Sequence, residues 1–146
     1  MNTWENFAVR DATTTSLASA RLQPIPATGG SAAAALRPHL GKINAVLLLI
    51  DPLLFDERTM HEIILAAAAA KVPTIGFLPE LPSVGVTFAL TTPAAQLAAL
   101  AVRSAPLSTP GTRRTVELDA LEVTASKKSA DDLGLDLKAI GGVNVR

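Results

Sequence analysis

The chain has 146 residues, thirteen basic and thirteen acidic side chains, and 49% hydrophobic against 18% charged residues. This length fits one ordinary domain, and the apolar composition with little charge excludes a disordered chain. The balanced charge argues against a nucleic-acid-binding module, and the absence of cysteine excludes a disulfide scaffold, a cysteine zinc site and a cysteine nucleophile.

The N-terminal region predicts two helices separated by an extended segment. Apolar residues recur near helical spacing over Trp4–Leu22, and two prolines interrupt the extended segment Leu22–Pro26. A second helix is predicted over Ala32–Leu40, with Ser31 as its N-cap and Gly41 just beyond its end.

The middle of the chain alternates apolar runs with helical patterns. The continuous apolar run Ile43–Ile50 predicts a strand that is buried on both faces. A helix is predicted over 56–71, because Asp56 and Glu57 place two acids in its first turn. Further strands are predicted over Pro73–Phe77 and Val84–Leu90. A last helix is predicted over Ala94–Ser104. This order is typical of an α/β fold with a doubly wound, mostly parallel sheet, as in Rossmann-like and flavodoxin-like proteins.

The C-terminal region is predicted to complete the same domain. We assign residues 1–104 to an α/β lobe, residues 105–115 to a linker rich in Pro, Ser and Thr, and residues 116–146 to a closing strand and a short helix. Hydrophobic alternation changes phase within Val116–Val123, which predicts a bulge or a change of partner strand. Gly134 is predicted to end the short helix.

Candidate binding residues follow the predicted strands. In open α/β sheets ligands bind beyond the carboxyl ends of the strands, where this chain has Asp51, the turn 78–80 and Thr91–Thr92. Asp51 could bind an amine or a hydroxyl group, or could cap a helix before Pro52. Glu80 could face a ligand or be simply solvated.

The other polar residues are weaker candidates for a binding or catalytic site. Gly29–Ser31 precedes a predicted helix and could hold an anion, but it lacks the spacing of the known phosphate-binding motifs. His39 and His61 have no neighbouring nucleophile or metal-ligand pattern. The sequence therefore predicts no enzymatic activity, no cofactor and no metal.

Two stretches of the chain resemble the ABC-transporter substrate-binding protein family of the tryptophan/tyrosine-import type. Ile43–Phe77 is similar to the second lobe of that family, with a strand, an Asp-Pro turn, a helix rich in small residues and a second strand. Leu121–Leu137 resembles the closing pattern of the family. The matched residues in it are Glu122, Lys128, Ala130 and the run Leu133-Gly134-Leu135.

The resemblance implies one lobe of a type I periplasmic binding protein, with sheet order 2-1-3-4-5. It also implies a non-enzymatic domain that binds or senses a small solute, in the periplasm. The first six residues lack the basic and apolar regions of a signal peptide, so we expect none in this chain. The longest apolar runs are shorter than the roughly 20 residues of a membrane span.

The family's ligand-binding positions fall on a few residues here. Asp51 and Pro52 occupy the turn that faces the cleft of the family, and Glu80 and Gly85 fall on the next cleft loops. Phe55 is the nearby aromatic residue that could stack on a ligand ring. The chain has no tyrosine, which argues against an aromatic amino acid as the ligand.

The resemblance also predicts a gap in the sheet. Members of the family are about twice as long, and this chain matches the lobe only after its first, central strand. The gap beside Ile43–Ile50 could be filled by Val116–Val123, by Val143–Val145, by a strand from a partner chain or by residues that precede this chain. We therefore predict a homodimer or a strand-exchanged assembly, with a membrane permease or a signalling enzyme as further partners.

Three alternatives remain open at this point. A receiver-like signalling domain would use Asp51 at the end of a buried strand, but the chain lacks the acidic pair and the lysine that receivers need. A dimeric scaffold would bind no ligand. An enzyme of flavodoxin-like shape has no nucleotide loop or catalytic pair to support it.

Overall fold

A computed structural model of the chain describes residues 23–25, 32–50, 56–104 and 121–146. The predicted helix Trp4–Leu22 and the predicted linker 105–115 lie outside the described residues, so the domain boundaries stay a prediction. The strands are β1 Val46–Leu47, β2 Thr74–Gly76, β3 Phe88–Thr91, β4 Glu122–Ala125 and β5 Val143–Val145. The α-helices of the described part are α1 Ala32–Leu36, α2 Glu57–Ala69, α3 Ala94–Ser104 and α4 Lys127–Leu133, and its 3-10 helices are Arg37–Lys42, Leu81–Val84 and Leu137–Ala139.

The described strands form one mixed sheet in the order β1-β2-β3-β4-β5. The strands β1, β2 and β3 are parallel, β4 runs antiparallel to β3, and β5 is parallel to β4. Helices flank this mostly parallel sheet, which confirms the predicted α/β class. The antiparallel β3–β4 pair was not predicted.

The amino-terminal ends of β2 and β3 are joined by two buried threonines. The amide of Thr74 donates to the hydroxyl of Thr87 at 3.1 Å, and the amide of Thr87 donates to the hydroxyl of Thr74 at 3.0 Å. Buried amide groups need a partner, and here each side chain supplies the acceptor for the other strand. The two strands are therefore held in register beyond their own ladder.

The helix predicted over Ala32–Leu40 is interrupted. The α-helix ends at Leu36, and a 3-10 helix continues from Arg37 to Lys42 with a proline in its first turn. Pro38 has no amide hydrogen to donate to the preceding turn, which explains the change of helix type. Gly41 lies inside the 3-10 helix rather than beyond the end, and Ser31 lies outside the described residues.

Helix α2 has the predicted bounds to within two residues and begins at a well-formed cap. Asp56 is its N-cap, and the carboxylate accepts hydrogen bonds from the Thr59 amide at 2.9 Å and from the Thr59 hydroxyl at 2.8 Å. Its buried face is formed by Met60, Ile63 and Ala67. This spacing of three and four residues places the three side chains on one face of the helix.

The sequence predicted a strand over Ile43–Ile50 that is buried on both faces, and this prediction is wrong. Only Val46–Leu47 forms a strand, and Leu48 is buried whereas Leu49 and Ile50 are exposed. β1 is the edge strand of the described sheet, and helices pack against only one of its faces. The other face therefore leaves its side chains exposed.

The C-terminal strands do not fill a place beside β1. Strand β4 pairs with β3, and β5 pairs with β4, so both lie on the far side of the sheet. Two candidates for the gap, Val143–Val145 and the end of Val116–Val123, are therefore wrong. The sequence predicted a bulge or a change of partner within Val116–Val123. Residues Glu122–Ala125 of β4 pair with β3 residue for residue, and residues 116–120 lie outside the described part.

One hydrophobic core lies between the sheet and the helices α1 and α2. Helix α3 takes no part in it, since none of its residues from Ala94 to Arg103 is buried. Among the described residues, no helix is long and apolar enough to cross a membrane. The buried core residues are Ala33, Leu36, Leu40, Leu48, Met60, Ile63, Ala67, Val72, Leu81 and Val86.

Candidate functional site

The parallel strands β1, β2 and β3 end at one edge of the sheet, which is where ligands bind in open α/β folds. The predicted site residues Asp51, Pro52 and Phe55 begin four residues after β1 in the sequence and lie outside the described residues. Their role in binding stays a prediction. The helix-capping alternative for Asp51 does not apply to α2, because Asp56 is the N-cap of that helix.

Asp56 supplies a fixed negative charge at the N-terminus of α2. The backbone hydrogen bond from Thr59, together with the hydroxyl hydrogen bond from the same residue, lowers the pKa of the Asp56 carboxyl below its usual value. The nearby Arg58 contributes in the same direction. The carboxylate therefore already satisfies an amide of this helix end that an anionic ligand would otherwise use.

Glu80 lies four residues beyond β2 and is exposed. Its backbone carbonyl accepts a hydrogen bond from the Ser83 amide at 2.9 Å and starts the 3-10 helix Leu81–Val84. The guanidinium of Arg146 donates to the carbonyl of the preceding Pro79 at 3.4 Å. The loop thus brings a carboxylate and a guanidinium group to one region of the surface, and the sequence alone did not single out Arg146.

Gly85 lies at a different place from the carboxyl ends of the strands. It ends the 3-10 helix with a left-handed backbone (φ 104°) and leads into the amino-terminal end of β3. Its carbonyl accepts a hydrogen bond from the Ser129 hydroxyl at 2.8 Å, and a Cβ there would lie 3.4 Å from Ile64. The described contacts of Gly85 are structural, and a ligand-binding role for it stays a prediction.

Gln96 is a polar residue that the sequence interpretation missed. It lies in the first turn of α3, five residues after β3, and its backbone amide donates a hydrogen bond to the carbonyl of Pro93 at 2.9 Å. The side-chain oxygen of Gln96 is buried and has no hydrogen-bond partner. A single glutamine in the apolar run from Ala94 to Val102 was the available signal.

An open groove of about 500 Å³ lies elsewhere, between the 3-10 helix Arg37–Lys42 and the outer side of α2. None of the predicted site residues lines it. The described residues include no group of three or more His, Asp or Glu side chains that could hold a metal ion. The groove is lined by Arg37, Leu40, Glu62, Leu65, Ala66, Ala69 and Ala70.

The sheet order and the flanking helices define the class of the domain as an α/β fold with a mixed, mostly parallel sheet. No protein-family model matches the chain, and no curated protein matches it. Solved structures do share its fold, which confirms the fold that the sequence resemblance implies.

Three solved structures illustrate the likeness. A ligand-free, open substrate-binding protein with adhesive properties from Clostridium difficile has a TM-score of 0.57 and 14% identity, over 78% of this chain and 39% of that one. An ABC domain from Streptococcus pneumonia in complex with L-Trp has a TM-score of 0.53 and 15% identity, over 78% and 41%. A conserved domain protein from Vibrio cholerae has a TM-score of 0.51 and 19% identity, over 77% and 40%.

The chain spans about 40% of the length of each of these proteins.

Proposed function

We propose that this chain is a non-enzymatic domain that binds or senses a small solute. The observation that supports the proposal is the fold shared with substrate-binding proteins, one of which holds L-Trp. The solute would lie at the carboxyl-terminal edge of β1, β2 and β3. Carboxylates at Asp51 and Glu80 favour a solute with an amine or hydroxyl group, and Phe55 would contact its apolar part.

Gln96 extends this proposed site. An amide oxygen that is buried without a donor costs free energy, and a solute N–H or O–H group that reached it would recover that cost. Gln96 lies five residues after β3, as Asp51 and Glu80 each lie four residues after β1 and β2. Each of the three parallel strands would thus contribute one polar group to the solute.

The partners of the chain are also proposals. A single lobe leaves one side of a ligand open to solvent, so a second surface would complete the site. A homodimer, a membrane permease or a signalling enzyme could supply that surface. Location in the periplasm would follow from such a role.

The first experiment measures the melting temperature of the full chain with each proteinogenic amino acid, L-Trp among them, and with polyamines and simple sugars. A solute present at 100 times its Kd stabilises the folded state by about 2.7 kcal/mol. Asp51→Asn and Glu80→Gln should reduce the stabilisation by the active solute and keep the melting temperature of the unliganded chain. Asp132→Asn, an exposed acid on α4, is the matched control and should bind as the unmodified chain does.

Substitution of Gln96 tests the site by two opposite effects. Gln96→Leu should raise the melting temperature of the unliganded chain, because it removes the unpartnered oxygen, and should weaken the response to the solute. A scaffold role replaces solute binding if no compound shifts the melting temperature of the unmodified chain. Equal solute responses in all the variants would place the binding site elsewhere.

A further inference from the structure

The first residue of β4 lies at the same edge of the sheet as the proposed solute site. Because β4 runs antiparallel to β3, it begins where β3 ends, and Glu122 pairs with Thr91, the last residue of β3. Directly paired residues on adjacent antiparallel strands have Cβ atoms about 5 Å apart. Glu122 is exposed and Thr91 is half-buried. The antiparallel strand thus brings to this edge a carboxylate that a parallel strand would have placed at the opposite edge.

The N-terminus of α2 lies at this edge too, since the helix connects the end of β1 to the start of β2. A free helix N-terminus binds anions through its amides. Here the Asp56 carboxylate accepts the Thr59 amide at 2.9 Å, and Glu57 adds a second carboxylate in the same turn. The cation of this turn, Arg58, donates to Glu62 at 3.1 Å. The start of α2 therefore presents negative charge to a solute.

Gln96 adds a further hydrogen-bond acceptor. It lies in the first turn of α3, after β3, and its side-chain oxygen is buried without a partner. An ammonium group has three hydrogens to donate, whereas an ionised carboxylate only accepts. A solute amine is therefore able to bond to the Gln96 oxygen and to a carboxylate of this edge, and a solute carboxylate is not.

Several described cations lie at the opposite edge of the sheet. They precede β1 and β2 or follow β4 and β5, and are Lys42, Lys71, Lys127 and Arg146. Lys138 lies on the solute side, since it precedes β5, but it is close to Asp136, whose carboxylate accepts the Lys138 amide at 3.0 Å. The described carboxylates at the solute edge outnumber its described cations, and such a surface attracts cations from solution.

We propose that the solute of this edge is an organic cation without a carboxylate, namely an amine rather than the amino acid with the same side chain. The inference rests on the proposed function and names its solute class. Glu122 and the Gln96 oxygen bind the ammonium group. A carboxylate that left water here would meet like charges, which costs free energy. The likeness to the domain that holds L-Trp thus extends to the fold and not to the solute class.

Matched pairs of compounds test the solute class. Isothermal titration calorimetry of the full chain compares tryptamine with L-Trp, cadaverine with L-Lys and agmatine with L-Arg. We expect an amine to bind about tenfold or more tightly than its amino acid, and its affinity to fall as added salt screens the charges. An amino acid that binds as tightly as its amine overturns the inference and leaves solute binding itself intact. Binding of none of the six compounds also overturns it, and the wider melting-temperature screen then decides the proposed function separately.

Substitution of Glu122 tests the residue that the antiparallel strand contributes. Glu122→Gln should weaken binding of the active amine several-fold and leave the melting temperature of the unliganded chain unchanged, because the side chain is exposed. Asp132→Asn removes an equal charge on α4 and is the matched control, which should bind the amine as the unmodified chain does. Equal amine affinities in Glu122→Gln and the unmodified chain would place the amine elsewhere and overturn the inference.

Discussion

At the scale of single residues, short-range hydrogen bonds set the limits of the helices. Asp56 begins α2 by accepting the amide and hydroxyl of Thr59, and Ser126 begins α4 by accepting the Ser129 amide at 3.3 Å. Gly134 ends α4 in a left-handed conformation (φ 73°), which glycine adopts without strain. These contacts span only a few residues, so the sequence indicates them directly.

The Asp56 cap predicts a pH dependence with a defined sign. Its pKa is lower in the folded chain than in the unfolded one, so its contribution to stability is present above the ordinary Asp pKa of 3.8 and is lost as pH falls through the lowered value. Asp56→Asn keeps a good capping residue that does not titrate.

We expect the unmodified chain to melt at a higher temperature than Asp56→Asn at neutral pH, and this difference to shrink below about pH 4. Thermal melts of both proteins between neutral pH and pH 3 measure it. A difference in melting temperature that stays constant across this range would show that the carboxylate charge does not stabilise α2.

At the scale of elements, the packing of the 3-10 helix Leu81–Val84 depends on the absence of a side chain in β2. A Cβ added to Gly76 would collide with the Cδ1 methyl of Leu81, which is a buried core residue. Glycine at this position of β2 therefore leaves the space that the Leu81 side chain of the 3-10 helix occupies. The sequence predicted that Gly76 lies in the strand Pro73–Phe77 but did not predict its contact with Leu81.

Gly76→Ala should destabilise the chain by about 1–3 kcal/mol, because the new methyl group overpacks the core. In a Leu81→Ala background the same change should cost much less, since the colliding atom is absent. Urea unfolding of the two single variants and the double variant measures the coupling free energy. Gly41→Ala is the control, because nothing lies within 4 Å of the Cβ it would add. Additive costs at Gly76 and Leu81 would refute the contact.

At the scale of the whole molecule, burial is uneven across the sheet. The core lies on the side of α1 and α2, and it includes Leu48, just after β1, and Val86 in the segment leading into β3. Helix α3 has no buried residue from Ala94 to Arg103, and Val102 is 74% exposed. Local stability should follow this distribution, because segments with few buried contacts open at low free energy.

Hydrogen exchange followed by mass spectrometry should therefore show the slowest exchange in β2 and β3 and exchange at least about tenfold faster in α3. Helix α2 is the matched comparison, since it has a similar length but buries one face, and should stay protected. Equal protection of α2 and α3 would show that the apolar side of α3 is covered in solution. Repeating the measurement with an active solute would locate the proposed site by its added protection near Gln96.

The sequence by itself determined the α/β class, the bounds of α2 and α3 and the likeness to a substrate-binding lobe. Caps, prolines and hydrophobic periodicity act within a few residues, so their signals survive without the fold. Only the tertiary structure decided that β4 is antiparallel to β3, that β1 is the edge strand of the described sheet, that Gly85 serves a turn and that the Gln96 oxygen is buried. Those properties depend on which distant segments pair and pack, and strand pairing between residues far apart in the chain has no local signature.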